Sequence, residues 1–268
     1  MLDLYYGFTR LPFTKDIPAD LLFDAVGQSE LCVRLDFLLK GRGLGLVTGE
    51  TGSGKSTTIR RFVASLEPAR HTVIYLANPT LGLSGIYRDL LAALGYEPLF
   101  GKPKAVSRIR SAFQDLLQTK HRLPIVILDE AHLLPPTVFE PLRLLFSTEM
   151  DSQSLGVLLL VGQPDLRRTL RLAPYEAFYQ RISTQYYLPP LDLAQTIAYV
   201  RHHIQLSGYK AGPIFTDDAL ARIYESTKGV PRLINRLCSM ALIVGMVEKK
   251  QILEDSAIRK ALADLEQG

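Results

Sequence analysis

Leu44-Gly45-Leu46-Val47-Thr48-Gly49-Glu50-Thr51-Gly52-Ser53-Gly54-Lys55-Ser56-Thr57-Thr58 is the stretch that decides the fold. An apolar, strand-like run leads into Gly-x-x-x-x-Gly-Lys-Ser, and a helical pattern follows. This strand, loop and helix order is the context that a phosphate-binding loop requires. Gly49, Gly52 and Gly54 let the backbone curl so that successive N–H groups and the positive end of the next helix face phosphate oxygens. With Glu50, Thr51, Ser53 and Thr57 they form the expected nucleotide cradle. Lys55 is expected to reach the β and γ phosphates, and the Ser56 hydroxyl to ligate Mg²⁺. A Gly-rich turn before an ordinary helix also satisfies a bare motif match, but it does not account for the apolar strand in front.

Pro124-Ile125-Val126-Ile127-Leu128-Asp129-Glu130 is a second diagnostic run. It is too short for a typical helix, rich in β-branched residues, and ends in two carboxylates, so it reads as a buried strand delivering acid at its carboxyl end. Asp129 is placed to hold Mg²⁺ through its water shell, and Glu130 to polarise the water that attacks the γ phosphate. The bland alternative is that the two acids cap the helix beginning near Pro136. Between these strands lies a third, His71 to Asn78, and beyond them a fourth, Leu155 to Gln163, so the two motif-bearing strands are not sequential. A fifth runs from Ile182 to Leu188.

In the last third, Gly229-Val230-Pro231-Arg232-Leu233-Ile234-Asn235-Arg236-Leu237-Cys238 has Gly then Pro at a helix start, and apolar residues at helical spacing. Arg232 falls at the first turn, off the apolar face; a solvated surface arginine is the alternative. From Pro189-Pro190 onward the pattern is wholly helical, with Asp192 and Gln195 suggesting a capping box. Helices are expected over 192–207, 217–227, 231–247 and 255–266.

These motifs and their order resemble the AAA+ ATPases, in particular the group containing the ExeA secretion ATPases and the transposition regulators TnsC, TniB and, more distantly, MuB. Tyr5-Tyr6-Gly7-Phe8-Thr9-Arg10-Leu11-Pro12-Phe13 and Val161-Gly162-Gln163-Pro164-Asp165-Leu166 are similar to segments of that group. The resemblance implies an α/β fold: a P-loop core with a central parallel five-stranded sheet flanked by helices, over residues 1–190, and a small all-α lid, 191–268. Residues 1–40 are then an N-terminal segment and helix within the first domain. It also implies ATP and Mg²⁺ as ligands, Gln163 as sensor 1 (where the family more often has Asn, Ser or Thr), and Arg232 as the sensor 2 arginine that reaches the nucleotide phosphates. Such ATPases hydrolyse weakly unless oligomerised, because an arginine of a neighbouring subunit completes the site. Arg181 stands where the family commonly carries this finger; Arg167, Arg168 and Arg171 compete for the role, and an ion pair of Arg181 within its own chain is the alternative.

Composition agrees with a compact soluble protein: 268 residues, 47% hydrophobic, bury one α/β core and a satellite domain. No apolar run approaches the roughly 20 residues of a membrane span. The start lacks the pattern of an export signal, and Cys32 and Cys238 lack metal spacing, which points to a reducing cytoplasm. Net charge is +4, from 31 basic and 27 acidic residues, a bias that permits nucleic-acid partners without demanding them. Lys102, Lys104, Arg108 and Arg110 form a local cationic group with no acid from 98 to 114. In TnsC-like rings and filaments this region faces a DNA channel, so these residues are candidates for salt-dependent contacts to duplex phosphates; a solvated basic helix end is the alternative.

The preferred expectation is a cytoplasmic transposition regulator without a membrane partner. It would assemble with ATP as a ring or filament on double-stranded DNA, mark a target, and recruit a transposase and a targeting protein, with hydrolysis driving disassembly. The alternative is an ExeA-type ATPase for assembly of a secretion apparatus, set second because that architecture continues past the lid. Asp129-Glu130-Ala131-His132 also suggests a DEAH helicase, which fails because such enzymes need two tandem motor domains.

Overall fold

In the computed structural model, residues 1–77, 82–99, 101–148 and 153–267 are described. Two compact units emerge. The sheet unit contains 27–51 and 55–188; the helical unit contains 1–26, 52–54 and the chain from Pro189 onward.

Five parallel strands make the centre of the sheet unit: β1 (Gly43–Thr48), β2 (His71–Leu76), β3 (Leu123–Leu128), β6 (Val157–Gly162) and β7 (Ile182–Tyr187). Their order is β2-β3-β6-β1-β7, so β6 stands between the loop-bearing β1 and the acid-bearing β3. The short pair β4 (Ser147–Thr148) and β5 (Gln153–Ser154) forms a separate antiparallel ladder. Every residue of β6 is buried, as in parallel sheets covered on both faces. Alternation divides the sheet between two cores. Leu44, Leu46, Val126, Leu128, Leu158 and Leu160 belong to one. Val47, Ile125, Ile127, Val157, Leu159 and Val161 belong to the other.

Over the first face lie α4 (Gly82–Ala93), α5 (Lys102–Gln118), α6 (Phe139–Phe146), α7 (Pro164–Leu170) and α8 (Glu176–Gln180), contributing Leu90, Ile109, Phe113, Phe139 and Phe178. Over the second lie α2 (Val26–Gly41) and α3 (Lys55–Ser65), contributing Leu31, Leu35, Leu38, Ile59 and Phe62. The second strand ends at Leu76 rather than Asn78, which lies outside the described residues. It is an edge strand with only Ile74 fully buried. The fourth strand likewise starts two residues later than expected, after Gly156.

The helical unit holds α9 (Leu193–Leu206), α10 (Asp217–Thr227), α11 (Pro231–Val247) and α12 (Asp255–Gln267). The Asp192 side chain accepts from the Gln195 N–H at 2.8 Å and starts α9. Thr216 caps α10 through the Ala219 N–H. Gly229, at φ 72°, precedes α11 and closes on Leu191, whose N–H donates to the Gly229 carbonyl at 2.9 Å.

The first 26 residues, expected with the sheet domain, instead cluster with these helices. The physical cause is aromatic. After α1 (Leu2–Tyr6), Tyr6 and Phe8 stack at 5.2 Å and Phe13 stacks on His203 of α9 at 5.2 Å. The Tyr6 hydroxyl donates to the Leu242 carbonyl at 3.1 Å, and the Thr9 N–H to that of Ser207 at 2.8 Å. Tyr6, Phe8 and Phe13 are buried with Leu220, Ile234 and Ile258 in one core. Among the described residues no helix is long and apolar enough to cross a membrane.

Candidate functional site

β1 delivers the chain into the loop 49–54, and α3 begins at Lys55. Gly52 and Gly54 take left-handed φ values of 83° and 97°, which other residues adopt only with strain. A Cβ at Gly52 would lie 2.6 Å from Cβ of Arg232, its neighbour within the helical unit. The Arg232 N–H donates to the Gly52 carbonyl at 3.3 Å, while its side chain is exposed. Ser53 is buried, and its Oγ has no hydrogen-bond partner among the described residues. An orphaned buried hydroxyl inside a tight Gly loop fits a site built for an additional acceptor-rich group.

Lys55 is buried, and its Nζ donates to the carbonyls of Gly49 at 2.8 Å and Glu50 at 2.9 Å. Its charge is thereby held inside the loop rather than in solvent. Thr57 is half-buried and Glu50 and Thr51 are exposed; the Tyr187 hydroxyl lies 3.5 Å from the Glu50 carboxylate.

Ser56 and Asp129, 73 positions apart in the chain, meet directly: Ser56 Oγ donates to Asp129 Oδ2 at 2.7 Å. Asp129 is buried at the end of β3, and its other oxygen, Oδ1, accepts from the Glu130 N–H at 2.9 Å. A hydroxyl and a carboxylate converging at this spacing are hard oxygen donors of the kind Mg²⁺ takes, and they fit that ion. Glu130 sits in the left-handed region at φ 52°, an uncommon conformation for glutamate that turns its carboxylate out of the strand and leaves it exposed. Its Oε2 is 3.4 Å from Nδ1 of His132, a largely buried imidazole on the turn Ala131–Leu133.

Gln163 follows β6 and caps α7 from an extended conformation, half-buried. The preceding Gly162 lies close against His132: a Cβ there would be 3.1 Å from the His132 nitrogen. The turn that carries His132 thus packs against the end of β6. The sequence reading missed Tyr75. The Tyr75 hydroxyl donates to Asp129 Oδ2 at 2.6 Å, across 54 positions of sequence. Burial, the hydrogen bond to Asp129 and the charges of Asp129 and Glu130 together push this phenol above its ordinary range, so it remains a donor.

Of the candidate fingers, Arg181 is exposed at the end of α8. Arg168 pairs with Asp165 at 3.0 Å, and Arg171 lies 5.9 Å from the Tyr179 ring centroid. Burial tends to raise the Tyr179 phenol, but hydrogen bonds with Gln185 and Arg167 and the charges of Arg171 and Arg167 prevail and lower it.

The basic group at 102–110 lies on a helix. It opens α5, with Gly101 at φ 91° before it, Pro103 in the first turn, and Ala105, Ile109, Ala112, Phe113 and Leu116 buried at helical spacing. Two of its four cations are engaged within the chain. Arg110 donates to the Ser147 carbonyl, and the Arg108 guanidinium lies 4.2 Å from the Tyr96 ring centroid. Lys102 and Lys104 are exposed.

Residues 38–170 match the family model described as AAA domain. General secretion pathway protein A of Aeromonas hydrophila is 34% identical over 249 residues, covering 91% of this chain. The chain spans 44% of the length of that curated relative. Among solved structures, Cdc6p from Pyrobaculum aerophilum superposes with a TM-score of 0.71 at 14% identity, covering 94% of this chain and 70% of that one. The Aeropyrum pernix ORC1 protein in complex with DNA gives 0.69 at 16% identity, with 95% and 68% covered. A RuvB variant from Thermotoga maritima gives 0.59 at 18% identity, with 89% and 68% covered. At these identities the solved structures establish the fold alone. The five-stranded parallel sheet with its interposed strand, the glycine loop and the matched segment together give residues 38–170 the features of an AAA domain.

Proposed function

We propose that the chain is a Mg²⁺-dependent ATPase of the general secretion pathway A type, acting on the cytoplasmic side in assembly of a secretion apparatus. The observation that supports the ATPase reading is the convergence of Ser56 and Asp129 at 2.7 Å beside a loop whose lysine is already turned inward. In this reading the loop amides at 49–57 and Lys55 bind and orient the triphosphate, and Arg232 is its sensor 2 arginine. Mg²⁺ held by Ser56 and Asp129 would supply neutralisation of developing phosphate charge. Glu130, aimed outward by its left-handed backbone, takes the proton of the attacking water, and Gln163 orients that water. Arg181 acts on the phosphate of a neighbouring copy, so turnover depends on self-association.

The secretion role rests on the 34% identity to General secretion pathway protein A across 91% of this chain, a relationship that the transposition reading lacks. That earlier preference rested on the chain ending after the lid, which carries no weight for a sequence spanning 44% of its relative. The engagement of Arg108 and Arg110 within α5 and its neighbours also leaves Lys102 and Lys104 as the exposed part of the proposed DNA contact.

The test compares wild type, Glu130→Gln and Lys55→Ala in the organism that carries the gene. Both variants are expected to leave exported enzymes retained in the cell; normal export with an ATPase-dead chain refutes the secretion role. In vitro, Glu130→Gln is expected to bind ATP and assemble without turnover, whereas Lys55→Ala loses binding. Normal hydrolysis by Glu130→Gln refutes its assignment as base. Nucleotide-dependent filaments formed only with duplex DNA would return the choice to transposition.

A further inference from the structure

Asp129 carries more donors than its proposed metal role needs. Oδ2 accepts from Ser56 at 2.7 Å and from Tyr75 at 2.6 Å, and Oδ1 accepts from the Glu130 N–H at 2.9 Å. An ionised carboxylate offers about four lone-pair positions. Three are therefore filled, and two of the three donors converge on a single oxygen. Tyr75 comes from β2, an edge strand held in register with β3 by the pairs Tyr75 with Ile127 and Leu76 with Leu128. The residue is half exposed, at 49%, so core burial does not explain its orientation. The Asp129 N–H donates to the Leu76 carbonyl at 3.0 Å, which ties the two strand ends together at the point where the side chains meet.

The two donors on Oδ2 are not equivalent. Ser56 is the group that would also ligate the ion, through an oxygen lone pair, while its O–H stays on Asp129. Tyr75 and the Glu130 amide have no such second task; they act on Asp129 alone, the phenol on one oxygen and the amide on the other. We propose that Tyr75 is a positioning residue for the metal site: it holds the Asp129 carboxylate in the rotamer that Mg²⁺ would require, and so sets the Mg²⁺ concentration at which nucleotide is gripped. This rests on the ATPase reading above. It adds a residue from the neighbouring strand whose hydroxyl acts through Asp129 rather than on the nucleotide.

The test is the isosteric Tyr75→Phe change, which keeps the ring and removes the hydroxyl. A fluorescent methylanthraniloyl ADP, which is not hydrolysed, reports binding during titration with MgCl₂, and again in EDTA. The variant is expected to need about five- to tenfold more Mg²⁺ for half-maximal binding, as for loss of one charge-assisted hydrogen bond, with nucleotide affinity in EDTA unchanged. Ser56→Ala serves as the reference in which the Mg²⁺ dependence is lost. An unchanged Mg²⁺ midpoint in Tyr75→Phe overturns the inference. So does an equal loss of affinity in EDTA and in Mg²⁺, which would make Tyr75 a packing residue. If wild type itself shows no Mg²⁺-dependent binding, the ATPase reading falls and takes this inference with it; a normal wild-type titration with an indifferent Tyr75→Phe removes this inference alone.

Discussion

Replacing His203 with Phe should flatten the acid dependence of stability in the helical unit. His203 lies on α9 with 4% of its surface exposed, stacked under Phe13 at 5.2 Å and against Tyr199 at 4.4 Å. Burial, then the charges of His202 and Arg10, lower its pKa from 6.5 to about 4. The folded imidazole therefore resists protonation that the unfolded chain accepts. Above about pH 6.5 both states are neutral and nothing is lost; between pH 6.5 and 4 the unfolded state binds the extra proton and stability falls. Integrating that interval gives a loss of about 2 kcal/mol at pH 5 and about 3 kcal/mol at pH 4, at 1.36 kcal/mol per pKa unit. For a protein of this size about 2 kcal/mol is roughly 4–8 °C of melting temperature. The assay is thermal unfolding by circular dichroism at half-unit steps from pH 4.5 to 8, comparing wild type with His203→Phe. Carboxylates titrate in both proteins, so the difference between the two curves isolates His203. Parallel curves across pH 4.5–7 would refute the assignment of a buried neutral imidazole.

Other perturbations probe different parts of the molecule. Gly229→Ala puts a Cβ 1.7 Å from the Leu191 carbonyl oxygen, at φ 72°. Left-handed strain of about 1–2 kcal/mol and a broken backbone hydrogen bond of about 1 kcal/mol, plus the clash, should lower stability in urea by roughly 3–5 kcal/mol. A change under about 1 kcal/mol would show that this junction relaxes. Phe13→Ala should cost about 3–5 kcal/mol in the same assay by opening a cavity over α9. Lys102→Glu with Lys104→Glu should leave Mg²⁺-nucleotide affinity intact; any duplex DNA retention it removes should be strongest at low salt. Loss of nucleotide affinity in that double variant would mean that the start of α5 supports the sheet unit.

The phosphate loop and the two acids were legible in the sequence because each is a contiguous run, in which a strand pattern stops at chemistry-bearing residues. The interposed strand could be inferred for the same reason, since β6 is apolar along its whole length. Tyr75 was not legible. Its meeting with Asp129 depends on the parallel register between β2 and β3, which long crossovers fix and local pattern does not. The helix under the basic group at 102–110 was legible in the spacing of Ala105, Ile109, Ala112 and Phe113, whereas the partners of Arg108 and Arg110 come from other parts of the chain and left no local trace. The docking of Tyr6 on Leu242, across 236 positions, left no local trace beyond an unusually aromatic start.

That last contact has a consequence for biogenesis. Tyr6, Phe8 and Phe13 leave the ribosome well before the helices that bury them. Until those helices follow, the rings lack their native cover, while the intervening sheet unit can already close on itself. The helical unit can close only once residues 193–267 have emerged, a step of high contact order, and in the interval the nascent chain exposes an aromatic patch that chaperones can hold.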